Sequence, residues 1–407
     1  MHRDNSRTPR QPSLNRRTPV GLTSKTGPSA TPHPLAALVD DAASAMKQGQ
    51  WEVALRAYRQ VRKALATRTP RGVLGMGATC LHRLGRYDEA EAWADDGLGE
   101  DRALLAIPPV HTEDTLRQRW TGDPTPVISI LCTTFNHERY LESTIRGFLS
   151  QNVTYPFEIL IHDDASTDGT QAIVRRWQER YPTLIRPVLQ TENQFSQGIR
   201  PFELLLKRAR GIFIATCEGD DFWIDAGKLQ RQVEFLVENP DFSCSAHNYL
   251  HYNEANLTVK PFYPTRTDQV LSQRQLMGVA RLLWLPTLVF RKLFDEMPPE
   301  QRLSFQGDSV LTSFLGTFGK CMYFESMLGS VRRENAFSCW SPLTQDEKEF
   351  NRMKTWMALV RMHATRGNAQ TVVDLLSRVA TSPLDEARKS ALLNELLEQH
   401  PSLLGER

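Results

Sequence analysis

Between residues 127 and 217, short apolar runs alternate with amphipathic segments, and few folds accommodate that alternation. Val127 to Thr133, Phe157 to His162, Leu184 to Leu189 and Gly211 to Cys217 have the length and composition of buried strands. Between them, Tyr140 to Leu149, Gln171 to Arg180 and Phe202 to Arg208 carry apolar residues at helical spacing. Strand alternating with helix predicts an α/β fold, with a mostly parallel sheet flanked by helices on both faces. Ligands bind such sheets beyond the carboxyl ends of the strands, which is where the polar clusters of this chain fall.

The flanks have a different character. Residues 1–34 hold Arg3, Arg7, Arg10, Arg16, Arg17 and Lys25 against the single acid Asp4, with few large apolar side chains. Such a segment cannot offset the entropy of ordering itself, so it reads as a disordered basic tail. Residues 35–99 are helical in pattern and repeat: Gly49-Gln50-Trp51-Glu52-Val53-Ala54 returns as Gly85-Arg86-Tyr87-Asp88-Glu89-Ala90, 36 residues later. Gly suits a tight turn, the aromatic packs across it, and Ala admits close helix approach. The segment resembles the tetratricopeptide repeat, which implies a surface for a partner protein; an ordinary helical hairpin that braces the following domain fits the same pattern. Residues 100–125 read as a linker from Pro108, Pro109, Gly122 and Pro124, and residues 342–407 as a helical C-terminus.

The net charge of +2 supplies no field for nucleic acid, so a nucleic-acid partner is not expected. Six scattered cysteines without a Cys-x-x-Cys pair fit reduced, buried thiols and argue against a zinc site. No apolar stretch approaches the ~20 residues that cross a bilayer, and no secretory signal is evident. A cytoplasmic protein is expected, at most peripheral to the inner face of a membrane.

Three polar clusters follow predicted strands. Thr133-Thr134-Phe135-Asn136-His137-Glu138 follows the first. Asp163-Asp164-Ala165-Ser166-Thr167-Asp168-Gly169-Thr170 follows the second. Ser166, Thr167 and Asp168 suit a helix cap. Asp163 and Asp164 are adjacent carboxylates that repel unless donors or cations answer them, and could accept the imide N–H of uracil or thymine, or a ribose hydroxyl. Glu218-Gly219-Asp220-Asp221 follows the fourth and offers a hard-oxygen site suited to Mg²⁺ or Mn²⁺. Taken alone, such a turn is also what a solvated acidic loop looks like.

Together these motifs, with Thr191-Glu192-Asn193-Gln194-Phe195-Ser196-Gln197-Gly198 and Phe222-Trp223, resemble family 2 glycosyltransferases of the GT-A fold, over residues 126–341. The subgroup resembled is that of bacterial surface-polysaccharide transferases. The resemblance implies a metal-dependent inverting transfer from a nucleotide-sugar donor, a UDP-sugar by the acids after strand two, to a saccharide or other hydroxyl acceptor. By position it implies nucleotide binding by Thr133, Phe135, Asn136, Glu138, Asp163, Asp164 and Glu218, and metal binding by Asp220 and Asp221. Asp308, in Gln306-Gly307-Asp308-Ser309 before an apolar helix, stands as the catalytic base, a position that also suits a helix cap. Val331-Arg332-Arg333-Glu334-Asn335 departs from the family's Tyr-Arg-x-His, with Asn335 in place of a metal-binding or diphosphate-binding His. There Arg332 and Arg333 are expected to neutralise the diphosphate, or to be surface charges. Trp284 is read as an acceptor-side stacking face or as a core residue.

Two other classes fit parts of the sequence. A non-catalytic scaffold carrying a decayed transferase domain would explain Asn335 and the two repeats, but not the retained Asp220 and Asp308. A nucleotidyltransferase wants a glycine-rich basic loop after the first strand, and Thr133 to Glu138 contains neither Gly nor Lys or Arg.

Overall fold

The computed structural model describes residues 34–264, 267–279, 283–335 and 343–399. The tail at 1–33 lies outside the described residues, and Pro34 already belongs to a helix, Pro34–Lys47. Among the described residues ten strands form one sheet: β1 Ile128–Thr134, β2 Phe157–Asp163, β3 Ile185–Leu189, β4 Phe213–Thr216, β5 Phe222–Trp223, β6 Phe242–Asn253, β7 Thr258–Pro261, β8 Gln269–Leu271, β9 Val289–Arg291 and β10 Lys320–Glu334. Their order is β3-β2-β1-β4-β9-β6-β10-β5, with β7 on β6 and β8 on β10.

The half built from β3, β2, β1 and β4 is parallel, as the strand and helix alternation requires. Beyond β4 the expectation of a mostly parallel sheet fails. β9 runs antiparallel to both β4 and β6, and β5, β7 and β8 also pair antiparallel. Only β6 and β10 pair parallel there, so the sheet is mixed. The physical reason is the change in connections: β6 and β7 join in a hairpin, and the helices after β5, β8 and β9 lead to strands that are not neighbours of the strand they leave. β6 and β10 escape a reading from apolar runs because buried polar residues interrupt them. Ser243, Ser245, His247 and Asn248 are all buried in β6, and Gln232 and Tyr263 supply partners for Ser245 and Asn248.

Side chains of β1 alternate between two cores. Ile128, Ile130 and Cys132 face helices 141–149, 170–180 and 228–238. Leu131, with Leu160 and Ile214 from its neighbours, faces helices 201–208, 307–315, 345–364 and 369–380. A third core joins the N-terminal helices to the sheet through Phe222, Leu250, Tyr252, Leu257 and Val331. Those helices, Pro34–Lys47, Trp51–Leu65, Arg71–Arg83 and Tyr87–Leu98, form two helical hairpins. Gly49 and Gly85 take φ of 71° and 72° at their turns, and Ala54, Tyr58, Ala90 and Trp93 are buried. The stretch read as a linker is largely built in. Thr112 caps a helix, Glu113–Arg119, whose Leu116 is buried beside Ile128 and Phe157.

The C-terminal layer contains a titratable group that dictates a pH response. His363 is fully buried, with Nε2 2.8 Å from Ser313 Oγ and Nδ1 3.0 Å from Asn368 Nδ2. Burial, and then the Arg366 charge, pushes its pKa down to about 4. An unfolded histidine takes up its proton near pH 6.5, so below that pH the unfolded chain binds a proton the folded chain refuses. Stability at this residue is therefore intact above pH 6.5 and is lost as pH falls towards 4. At pH 5 the loss is on the order of 2 kcal/mol. Melting temperatures measured from pH 7 to 5 should fall, and His363→Gln should flatten that slope.

Candidate active site

The acidic turn after β4 is held by backbone bonds to β1. Cys217 N donates to Leu131 O at 3.1 Å, and Gly219 N donates to Thr133 O at 2.9 Å. From helix 141–149, Thr144 Oγ1 donates to the carbonyls of Gly219 and Asp221 at 2.9 and 2.6 Å. A Cβ at position 219 would stand 2.7 Å from Thr134 Oγ1 and 2.9 Å from His137 Nδ1, so only glycine fits. The turn thus brings carboxylate oxygens of Glu218, Asp220 and Asp221 within 4.8 Å of one another.

The far wall is the end of β10. Arg333 N donates to Asp221 Oδ1 at 2.8 Å, Arg333 Nη1 to Asp220 O at 2.7 Å, and Asn335 Nδ2 to Asp220 Oδ2 at 3.1 Å. Burial, then the Asp220 charge, pushes Asp221 up to about 8. Glu218 is also pushed up, by desolvation of its carboxyl at the turn and then by the charges of Asp220 and Asp221, with a side chain more open to solvent than that of Asp221. Three crowded carboxylates are costly unless a cation answers them. Two buried polar atoms beside Gly219, Thr134 Oγ1 and His137 Nδ1, have no protein partner. This hard-oxygen set fits a small divalent ion such as Mg²⁺ or Mn²⁺.

Glu218 opens into a cleft of about 490 Å³, also lined by Thr133, Trp284, Asp308 and Arg332. Asp308 lies in the first turn of helix Gly307–Leu315, where Ser309 N donates to its Oδ1 at 2.8 Å. Burial raises its pKa, against the opposing pull of that backbone bond and of Arg332. The Arg332 guanidinium stands 3.9 Å from the centroid of the Trp284 ring. One face of Trp284 is therefore covered by a cation, which is at odds with an open stacking platform for a sugar.

Several expected nucleotide contacts are instead bonded within the protein. Asn136, at φ 55°, accepts from Thr167 N at 2.8 Å, and Glu138 Oε2 accepts from Gly169 N at 3.0 Å. Asp163 accepts from Ser166 N at 3.0 Å and Gln171 Nε2 at 2.7 Å, and Asp164 from Gln194 N at 2.8 Å and Phe195 N at 3.1 Å. The two adjacent carboxylates are thus answered by donors of the chain, which a local reading of Asp-Asp does not reveal. Asn136 and Glu138 stitch the loops after β1 and β2 together, while Asp164 ties the β2 loop to the loop after β3 and pins Phe195, which lines the cleft. Phe135 is 44% exposed beside them. Arg333 and Asn335 are likewise bonded to the acidic turn, which leaves Arg332 as the cleft-facing cation of the three. Arg200, which donates to Ser304 O at 2.8 Å and also lines the cleft, was not anticipated from the sequence, because nothing local marks it.

Residues 129–292 match the family model described as glycosyl transferase family 2. An uncharacterized protein of Mycobacterium tuberculosis is 33% identical over 174 residues, 42% of this chain and 49% of the relative. The putative teichuronic acid biosynthesis glycosyltransferase TuaG of Bacillus subtilis is 34% identical over 113 residues, 28% of this chain and 43% of its own. The UDP-Glc:alpha-D-GlcNAc-diphosphoundecaprenol beta-1,3-glucosyltransferase WfgD of Escherichia coli is 30% identical over 142 residues, 34% and 52% of the two chains. The chain spans about half the length of these curated relatives. It is over residues 129–292, the stretch that carries β1 to β9 and the acidic turn, that this chain matches glycosyl transferase family 2.

Proposed function

We propose that the chain is an inverting glycosyltransferase that moves a sugar from a nucleoside diphosphate donor, a UDP-sugar, to a hydroxyl acceptor in surface-polysaccharide synthesis. One observation carries the proposal: the three-carboxylate turn opens through Glu218 into the same cleft as Asp308. The family match and the transferases among the relatives support the reaction class, and the mixed α/β sheet is compatible with a GT-A-like fold.

In this reading Asp220 and Asp221 hold a divalent ion, and Glu218 contacts the ion or the ribose. When bound, the ion supplies positive charge to the departing diphosphate. Arg332, which lines the same cleft, is placed to meet that charge as well. Asp308 accepts the proton of the acceptor hydroxyl as its oxygen bonds to the anomeric carbon and the bond from that carbon to the diphosphate breaks. One displacement inverts the anomeric configuration. The raised pKa of Asp308 makes it a stronger base than an ordinary carboxylate. Asn136, Glu138, Asp163 and Asp164 frame the nucleoside pocket by fixing its loops, and Thr133 and Phe135 offer surfaces to the base. No helix among the described residues is long and apolar enough to cross a membrane.

Incubation with a panel of UDP-sugars and Mn²⁺, following UDP release with and without saccharide acceptors, tests the proposal. Release from at least one donor is expected. Silence across UDP-, TDP- and GDP-sugars, from protein that melts cooperatively, would reject it.

A further inference from the structure

The N-terminal helices reach the acidic turn through one buried carboxylate. The hairpin turn between β6 and β7, residues 254–257, is seated in the helical segment. A Cβ on Gly75 would lie 2.3 Å from Ala255 O and 2.6 Å from Glu254 O, so the helix backbone presses directly on the turn. A Cβ on Gly97 would lie 2.1 Å from Leu257 Cδ1. Leu257 is 1% exposed and holds φ at 52°, a conformation a leucine adopts only where its surroundings impose it. Glycine weakens a helix interior, so two glycines where another element presses on the helix are explained by that contact.

Glu254, at the start of this turn, faces the site. Its carboxylate accepts from Tyr140 Oη at 3.1 Å and Arg139 Nη1 at 3.3 Å, and its Oε1 lies 3.9 Å from Arg333 Nε. The Arg333 guanidinium also packs over Phe222, 4.3 Å from the ring centroid. Arg333 is the residue that bonds the carbonyl of Asp220 and the carboxylate of Asp221. From the helical side, the His82 ring stacks on Tyr140 at 6.3 Å between centroids.

We propose that Glu254 is a positioning residue for the metal-binding turn, and that the helical segment sets its place through the Gly75 and Gly97 seats. The proposal rests on the transferase reading only in taking Asp220 and Asp221 as metal ligands. The helices thereby act as part of the site's frame, whatever partner they also bind. A buried ion pair fixes geometry well, because displacing either charge leaves the other uncompensated.

Mn²⁺ binding to the full chain, measured by titration calorimetry without and with UDP, tests this. Glu254→Gln keeps the shape and removes the charge. It should weaken Mn²⁺ binding about 10-fold, the lower end of what loss of a ligand's direct partner does, because Glu254 acts through Arg333. Gly97→Ala, where the obstacle is a movable leucine methyl, should weaken it in the same direction with cooperative melting retained. Glu158→Gln serves as the control for stability alone: it breaks a buried pair with Arg186 and Arg210 at the opposite end of β2, and should lower the melting temperature with Mn²⁺ affinity unchanged. Unchanged affinity in Glu254→Gln would overturn the positioning role. Unchanged affinity in Gly97→Ala alone would overturn the part assigned to the helices. A wild type that binds Mn²⁺ but no nucleotide would sink the transferase reading and leave the positioning role standing, whereas no Mn²⁺ binding at all would sink both.

Discussion

Replacing Asp220 by Asn is expected to abolish Mn²⁺-dependent nucleotide binding while leaving the fold intact. Its carboxylate sits in the acidic turn and accepts from Asn335 Nδ2. Losing a direct ligand should weaken metal binding by at least about 100-fold, the upper end of what loss of an outer partner does. The same change removes a charge that pushes Glu218 and Asp221 up. The melting temperature without metal should therefore stay constant or rise. A marked fall would mean that Asp220 is a structural acid, held for its contact with β10. Calorimetry and a melting curve on one preparation distinguish the two.

Replacing Asp308 by Asn is expected to separate chemistry from donor binding. Asp308 stands on helix Gly307–Leu315, and the acidic turn on the β4 end, so the two meet only across the cleft, where the Asp308 charge acts on Glu218. Turnover should fall by about 10²–10⁴, the contribution of a positioned general base. UDP affinity with Mn²⁺ should change by less than about twofold, because the variant removes an interaction made with the acceptor. Asn can still accept the Ser309 N–H bond through its amide oxygen, so a role limited to capping would leave turnover nearly unaltered. The ratio of the two losses decides between base and cap.

The parallel half of the fold is legible because each strand there is a bounded apolar run. Val127 to Thr133 anticipates Ile128–Thr134, and Phe157 to His162 anticipates Phe157–Asp163. The second half is hidden for two physical reasons. β9 is only three residues long, and β6 and β10 bury polar side chains whose partners lie far away in sequence. That blindness carried into the site. Once Val331 to Glu334 is known to be strand, its pleat sends Arg332 and Arg333 to opposite faces, one to the cleft and one to the acidic turn. Without the strand the two arginines look equivalent. Asp163 and Asp164 illustrate the converse: their donors include Gln171, Gln194 and Phe195, so local sequence shows the charges and conceals what answers them. Asp220, Asp221 and Asp308 were visible in the sequence as candidates, a carboxylate cluster after a strand and an acid at a helix start that also suits a cap. Glu254 was not, since it meets Tyr140 and Arg333 only through the tertiary fold.

The most direct test of a metal-dependent nucleotide site is calorimetric titration of the wild-type chain with UDP, once with Mn²⁺ and once with EDTA. The account predicts saturable binding with Mn²⁺ and little or none with EDTA. Equal binding in both, or none to UDP, TDP or GDP in either, would contradict it.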